Sequence, residues 1–265
     1  MNSLDFVDPM PIVDVVKTMK EWLKISEPIV SCSVFLLLSY IVGHLVAYVS
    51  SITIERFVIW WYGYPSEFLM QEKGCTWHFK NDWCSLNQNK PHHYKRQIAI
   101  TYILRTLISL ALLPIFIPTL LIKLLGLDGF FIKSLDPFLR DVIQKKRKTL
   151  FEQLALSTPM HYGKVDYHRV IYHYVYEHSV NHRQKMDNYV ALYDFLRSMT
   201  LIFVCIFMYI LGYGILSNCV MGSYFAWSIV GLLVVAYLFY MSFFKFYRRF
   251  TLEAFMCLVS TLEKK

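Results

Sequence analysis

Four stretches of this chain, residues 29–50, 106–122, 199–217 and 223–244, contain no Asp, Glu, Lys or Arg. A helix rises about 1.5 Å per residue and the hydrocarbon layer of a bilayer is about 30 Å thick, so roughly 17–25 apolar residues in a row suffice to cross it. All four stretches are long enough. A single Arg or Lys at the centre of such a span costs about 2.5–3.5 kcal/mol on insertion scales, a penalty these segments avoid altogether. The composition agrees. Of the 265 residues 56% are hydrophobic and mean hydropathy is +0.39, above the roughly 45–50% apolar content of soluble domains. Tyr, Phe and Trp make up 17%, and such rings favour the boundary between membrane and water. The expected fold class is all-α: a polytopic helical membrane protein with about four transmembrane helices, a cytosolic helical hairpin domain and an N-terminal amphipathic helix.

The second stretch is the weakest of the four. Arg105 and Lys123 bracket it at the lower limit for a straight crossing, and Pro114 and Pro118 each remove a backbone donor and favour a kink. A full crossing is the simpler expectation and a re-entrant loop the alternative. Spans three and four are joined by an uncharged turn, 218–222, with basic segments on the far side of both. The positive-inside rule then places that turn outside and residues 123–198 and the C-terminus in the cytoplasm. Four crossings put both termini inside and the 51–97 loop outside, in a cell membrane; a re-entrant second segment moves that loop inside. The N-terminus, with Asp5, Asp8 and Asp14 in place of a basic start, does not read as a cleavable signal.

Composition shifts divide the chain into an amphipathic segment, 1–28; the first span with an aromatic interfacial helix, 29–62; a loop with Cys and His, 63–97; the proline-bearing segment, 98–125; a basic helical region, 126–198; the transmembrane hairpin, 199–245; and a tail, 246–265. In the amphipathic segment Ile12, Val15, Val16, Met19, Trp22 and Leu23 share one helical face. That suits a helix lying among headgroups or docking a partner. In the basic region, Ser134 or Asp136 caps a helix with Pro137 at its first position, and a second helical pattern covers 166–197.

Several groups carry potential chemistry. Cys75, His78, Cys84 and His92 (with His93 beside it) are ligand types that tetrahedral zinc accepts, but past the Cys-x-x-His start the spacing matches no standard site. On an oxidising side of the membrane Cys75 and Cys84 would form a disulfide instead. The remaining cysteines, Cys32, Cys205, Cys219 and Cys257, read as small hydrophobes. Between His161 and His182 lies a His- and Tyr-rich run. Within it only His178 and His182, four apart, could share a metal on one helix: His168 lies on the same face but about 15 Å from His178 along the axis, and His173 points away. The His-x-x-His-His boxes of membrane desaturases are absent. His44 is an ionisable group inside the first span, a position that is functional or bonded to a neighbouring polar group. Lys145, Lys146, Arg147 and Lys148 form a basic run suited to anionic lipid or a partner, and it accounts for part of the +8 net charge. Nucleic acid is not expected.

No Walker loop, Gly-x-Ser-x-Gly elbow or His-Glu-x-x-His is present, and no carboxylate lies within a span. The expectation is a non-enzymatic protein without cofactors that oligomerises in the bilayer. Its most concrete form is a pore-forming or membrane-perturbing effector of a bacterial defence or toxin system, governed by the cytosolic helices. A membrane metalloenzyme built on the histidines is one alternative. A membrane anchor subunit recruiting a cytosolic partner through 126–198 is the other.

Overall fold

A computed structural model describes residues 28–71, 92–127, 133–154, 167–216 and 223–261, with backbone alone for 28–31, 92–98 and 223–224. The amphipathic segment before Pro28, and Cys75, His78 and Cys84, lie outside the described residues. Among those described, all regular structure is helical, as the apolar periodicity requires. Among the described residues three helices are long and apolar enough to cross a membrane, or four if one bent pair counts as a span.

The chain divides into two compact units, Met1–Val46 and Ala47–Lys265. Helix α1 (Pro28–Ser50) belongs to the first as far as Val46, and there it leaves Phe35, Leu36, Leu37, Tyr40, Ile41 and Leu45 exposed. A helix that is apolar on every side needs lipid or another protein surface around it.

In the second unit the chain widens into a π-helical turn, Ser51–Glu55, and resumes as α2 (Arg56–Tyr62). Gly63, at φ 78°, stops α2, and Pro65 opens the short α3 (Pro65–Met70). A Cβ on Gly63 would stand 3.2 Å from the Glu67 carboxylate in a left-handed conformation. We expect Gly63→Ala to cost about 1–2 kcal/mol, read as a lower unfolding midpoint in detergent micelles. Most aromatics of α2 and α3 pack against the rest of the protein, with Trp60 half-buried. Phe57, Trp61, Tyr62 and Phe68 are buried, with Tyr62 and Phe68 set 5.0 and 5.9 Å from Phe244 and Trp61 5.7 Å from Phe116. This corner is therefore a wedge inside the protein.

The proline-bearing segment is two helices, α4 (His92–Ala111) and α5 (Leu113–Leu124), and the stretches Ala99–Ala111 and Leu113–Leu124 meet at 100°. The break falls at Leu112, two residues before Pro114, whose ring cannot continue the preceding helix. Leu112, Pro114, Ile115 and Thr119 are buried, while α4 exposes Ile100, Ile103, Leu104, Leu107 and Leu110. Beyond α5, residues 133–136 return to the end of α3. The Leu135 backbone amide donates to the Leu69 carbonyl at 3.1 Å, the Gln71 side-chain Nε2 donates to the Ser134 hydroxyl at 2.9 Å, and Arg140 Nη1 donates to the Gln71 side-chain Oε1.

Helix α6 (Pro137–Gln153) starts where the cap pattern places it, the Asp136 carboxylate accepting from the Phe138 amide at 3.1 Å. The expected helix over 166–197 is interrupted. Helix α7 (Tyr167–His178) ends at Ser179, and α8 (Val180–Leu216) then runs unbroken from the polar part of its sequence into the charge-free run that starts at residue 199. Ser179 bonds Thr261 side chain to side chain at 2.6 Å.

Helices α8 and α9 (Ser223–Thr261) are 37 and 39 residues long, about 55–60 Å, so each projects well past a hydrocarbon layer of about 30 Å. Antiparallel ring pairs zip them together: Tyr193 with Tyr247 at 5.5 Å, Phe203 with Phe239 at 5.1 Å. Of the hairpin glycines Gly212, Gly214 and Gly231, only Gly214 meets a close neighbour, the Phe225 ring, which a Cβ there would strike at 2.3 Å.

Candidate ligand cleft

Just ahead of the apolar part of α8 a charged side chain is almost wholly buried: Arg197, 7% exposed, two residues before the charge-free run 199–217 begins. A buried guanidinium is tolerable only when its donors are used. Arg197 sends Nε to the Ser50 hydroxyl at 3.2 Å and Nη2 to the Asp194 carboxylate at 2.8 Å, and it pairs with Glu55 through Nη1. The Ser51 hydroxyl also donates to Glu55, at 3.3 Å. The π-turn is what aims Glu55 inward. Such single turns are frequent at functional sites because the extra residue redirects side chains.

Beside this junction opens a cleft of about 490 Å³. Ser51, Glu55 and Arg56 form one wall, and Tyr64, Pro65 and Ser66 of the α2–α3 corner continue it. Helix α7 supplies the opposite wall with His168, Arg169, Tyr172 and His173, and Tyr193, Tyr247 and Thr251 close the floor. Tyr172 lies 5.3 Å from Phe250 and from His173, centroid to centroid. Burial, with Tyr176 and Asp187 adding to it, raises the Tyr172 phenol above its ordinary pKa. It stays a neutral hydroxyl, able to donate or accept. Besides Glu55, which is paired with Arg197, the lining carries the two cationic side chains Arg56 and Arg169.

The histidines separate. His168 packs edge-on to Phe250 and Phe255 at 6.0 and 5.7 Å, and His173 lines the cleft. His178 stacks on Tyr174 at 4.2 Å, its Nδ1 2.8 Å from the Tyr174 carbonyl. His182 lies across the Ser179 break, so the one-helix geometry that would let it share a metal with His178 does not hold. Its neighbours are Glu253 and Cys257, and the ligand atoms of these three lie within 4.8 Å of one another. The Glu253 carboxylate there is already held by Lys185 at 2.7 Å, with His182 Nδ1 at 3.6 Å. That makes the group an ion-pair clasp closing the open end of the α8–α9 hairpin.

The basic run divides too. Lys145 and Lys148 are exposed and Lys146 half-buried, but Arg147 is 3% exposed, its guanidinium 4.5 Å over the Tyr167 ring. Successive helical residues turn by about 100°, and Arg147 shares the inner face with Ile143, Leu150 and Phe151. The Tyr167 hydroxyl donates to the Ser66 carbonyl at 3.3 Å, so Arg147 props the corner that walls the cleft and takes no part in a surface patch. His44 is exposed on α1, 4.4 Å from the Tyr40 ring. The backbone of His92 opens α4.

Sequence reasoning passed over Arg197, Glu55, Arg56 and Arg169. The available signal was Glu55 and Arg56 directly behind a long apolar run, and Arg197 directly ahead of another. Charges at span edges read as boundary markers until their partners are seen. Comparisons of the chain with protein-family models, curated proteins and solved structures find no match.

Proposed function

We propose that the chain is a non-enzymatic integral membrane protein that receives an anionic ligand in the cleft between the π-turn and α7, and relays its occupancy to the membrane helices. The observation that carries this reading is the Arg197 junction. One guanidinium joins the cleft wall, through Glu55 and Ser50, to the root of the longest run of α8 inside the bilayer. A ligand bearing phosphate or carboxylate, drawn by Arg56 and Arg169, competes for the same electrostatics. Helices α1, α8 and α9 cross fully, and α4 with α5 enters and returns. Residues 51–198 and the C-terminus then face the cytoplasm and the N-terminus faces outside.

The test uses purified full-length protein in detergent with inorganic phosphate, adenosine monophosphate and a cationic control. At a hundredfold excess over Kd a ligand bound only by the folded state adds about 2.7 kcal/mol. We expect a raised unfolding midpoint with the anions that is lost in Arg56→Gln or Arg169→Gln. Equal responses of wild type and both variants would rule the cleft out. Pore formation in the manner of a bacterial defence or toxin effector is one output such a receptor could drive, and an anchor subunit for a cytosolic partner is another. Protein-bearing liposomes that release dye when the anion is added support the first, and vesicles that stay sealed support the second.

A further inference from the structure

A second recess, separate from the cleft, lies along α9. It is a groove of about 530 Å³ lined by Leu238, Met241, Lys245, Arg248, Arg249 and Leu252 among others. Steps of three and four residues place these on one face of the helix. The face changes character along its length. Leu238 and Met241 belong to the charge-free run 223–244, which rises about 33 Å, close to the hydrocarbon thickness. Lys245 therefore stands at the hydrocarbon edge, with Arg248 and Arg249 one turn further out, where lipid phosphates lie.

The cations are held in place. Arg248 donates to the Lys133 carbonyl at 2.9 Å, and Arg249 lies 5.9 Å over the Phe246 ring. No carboxylate is among the described lining residues. The next acid along α9, Glu253, is engaged by Lys185. From Leu238 to Arg249 is about 16 Å of helix, enough to lay the upper part of an acyl chain below a phosphate.

We infer that this groove binds an anionic phospholipid, its phosphate on Lys245, Arg248 and Arg249 and its acyl chain along Leu238 and Met241. An apolar trough ending in three cations matches that one chemistry at both ends, whereas a zwitterionic lipid brings its own cation to the same place. Each basic side chain near such a headgroup contributes about fivefold in affinity.

The experiment is native mass spectrometry of the full-length protein in micelles, titrated with phosphatidylglycerol, phosphatidylcholine or glycerol phosphate. The result expected is a phosphatidylglycerol adduct at lower lipid concentration than phosphatidylcholine, weakened about 25-fold in Lys245→Gln/Arg249→Gln. That pair leaves the Arg248 contact to Lys133 intact, and unchanged circular dichroism establishes that the variant folds. Lys145→Gln/Lys148→Gln leaves the adduct unchanged. Equal binding of the two lipids, full binding by the first variant, or loss in the second instead would overturn the assignment. Glycerol phosphate binding as tightly as the lipid would also overturn it, since the site would then be one for a free phosphate.

Discussion

Arg197→Met lowers the unfolding free energy by about 3 kcal/mol, the low end of the range for removing one partner of a buried ion pair. The substitution leaves the Glu55 carboxylate with only the Ser51 hydroxyl at 3.3 Å, and the buried Ser50 hydroxyl keeps only its bond to the Ala47 carbonyl at 2.9 Å. Full desolvation would exact more, but the Glu55 and Asp194 side chains are 27% and 43% exposed, so water recovers part of the loss. Glu55→Gln costs less than Arg197→Met because Asp194 still balances the guanidinium. The double variant should fall short of the sum of the singles by about 1–3 kcal/mol, the coupling usual for directly paired groups. Arg197→Lys also fails, since one ammonium cannot reach Ser50, Glu55 and Asp194 from a planar fork. Denaturant unfolding in micelles decides the matter. An Arg197→Met midpoint within about 0.5 kcal/mol of wild type would mean the junction carries no load, and the relay proposed for the cleft would lose its basis.

The helical and apolar parts of this molecule were legible because they rest on local periodicity. Charge-free runs, the Asp136 cap with Pro137, and the proline warning at 114 each describe a few neighbouring residues. What escaped were relations between distant segments. Arg147 sits among three other basic residues, and only its i, i+4 relation to Ile143 and i+3 relation to Leu150 marks it as facing inward. His178 and His182 looked like a pair until Ser179 ended the helix between them. Arg197 and Glu55 are far apart in sequence, and nothing local to either says that they meet. The aromatic run of α2 had the composition of an interfacial anchor, and burial against α5 and α9 is what makes it a wedge.

The same long-range relations bear on how the proline-bearing segment meets the membrane. Ala99–Ala111 and Leu113–Leu124 rise only about 20 and 18 Å, so neither crosses a layer of about 30 Å alone. The chain leaves at Gln71 and is back at Ser134, hydrogen-bonded to it at 2.9 Å. Residues 72–91 carry three Lys, three Asn, Glu72 and Asp82, and contain no apolar run long enough for a crossing. On the proposed topology these two points in contact lie on one side of the bilayer, and the bent pair between them enters and returns. Broken helices are tolerated at membrane depth where protein covers the freed backbone, and the bend at Leu112 is 1% exposed. Single-cysteine variants in intact cells test the arrangement with a membrane-impermeant maleimide. Cys219, between α8 and α9 in sequence, should label from outside. Cys75 and Cys84 should react only after permeabilisation, and a cysteine introduced near the N-terminus should react without it. Labelling of Cys75 and Cys84 in sealed cells, together with protection near the N-terminus, would instead mean that the bent pair crosses and that both termini are cytoplasmic.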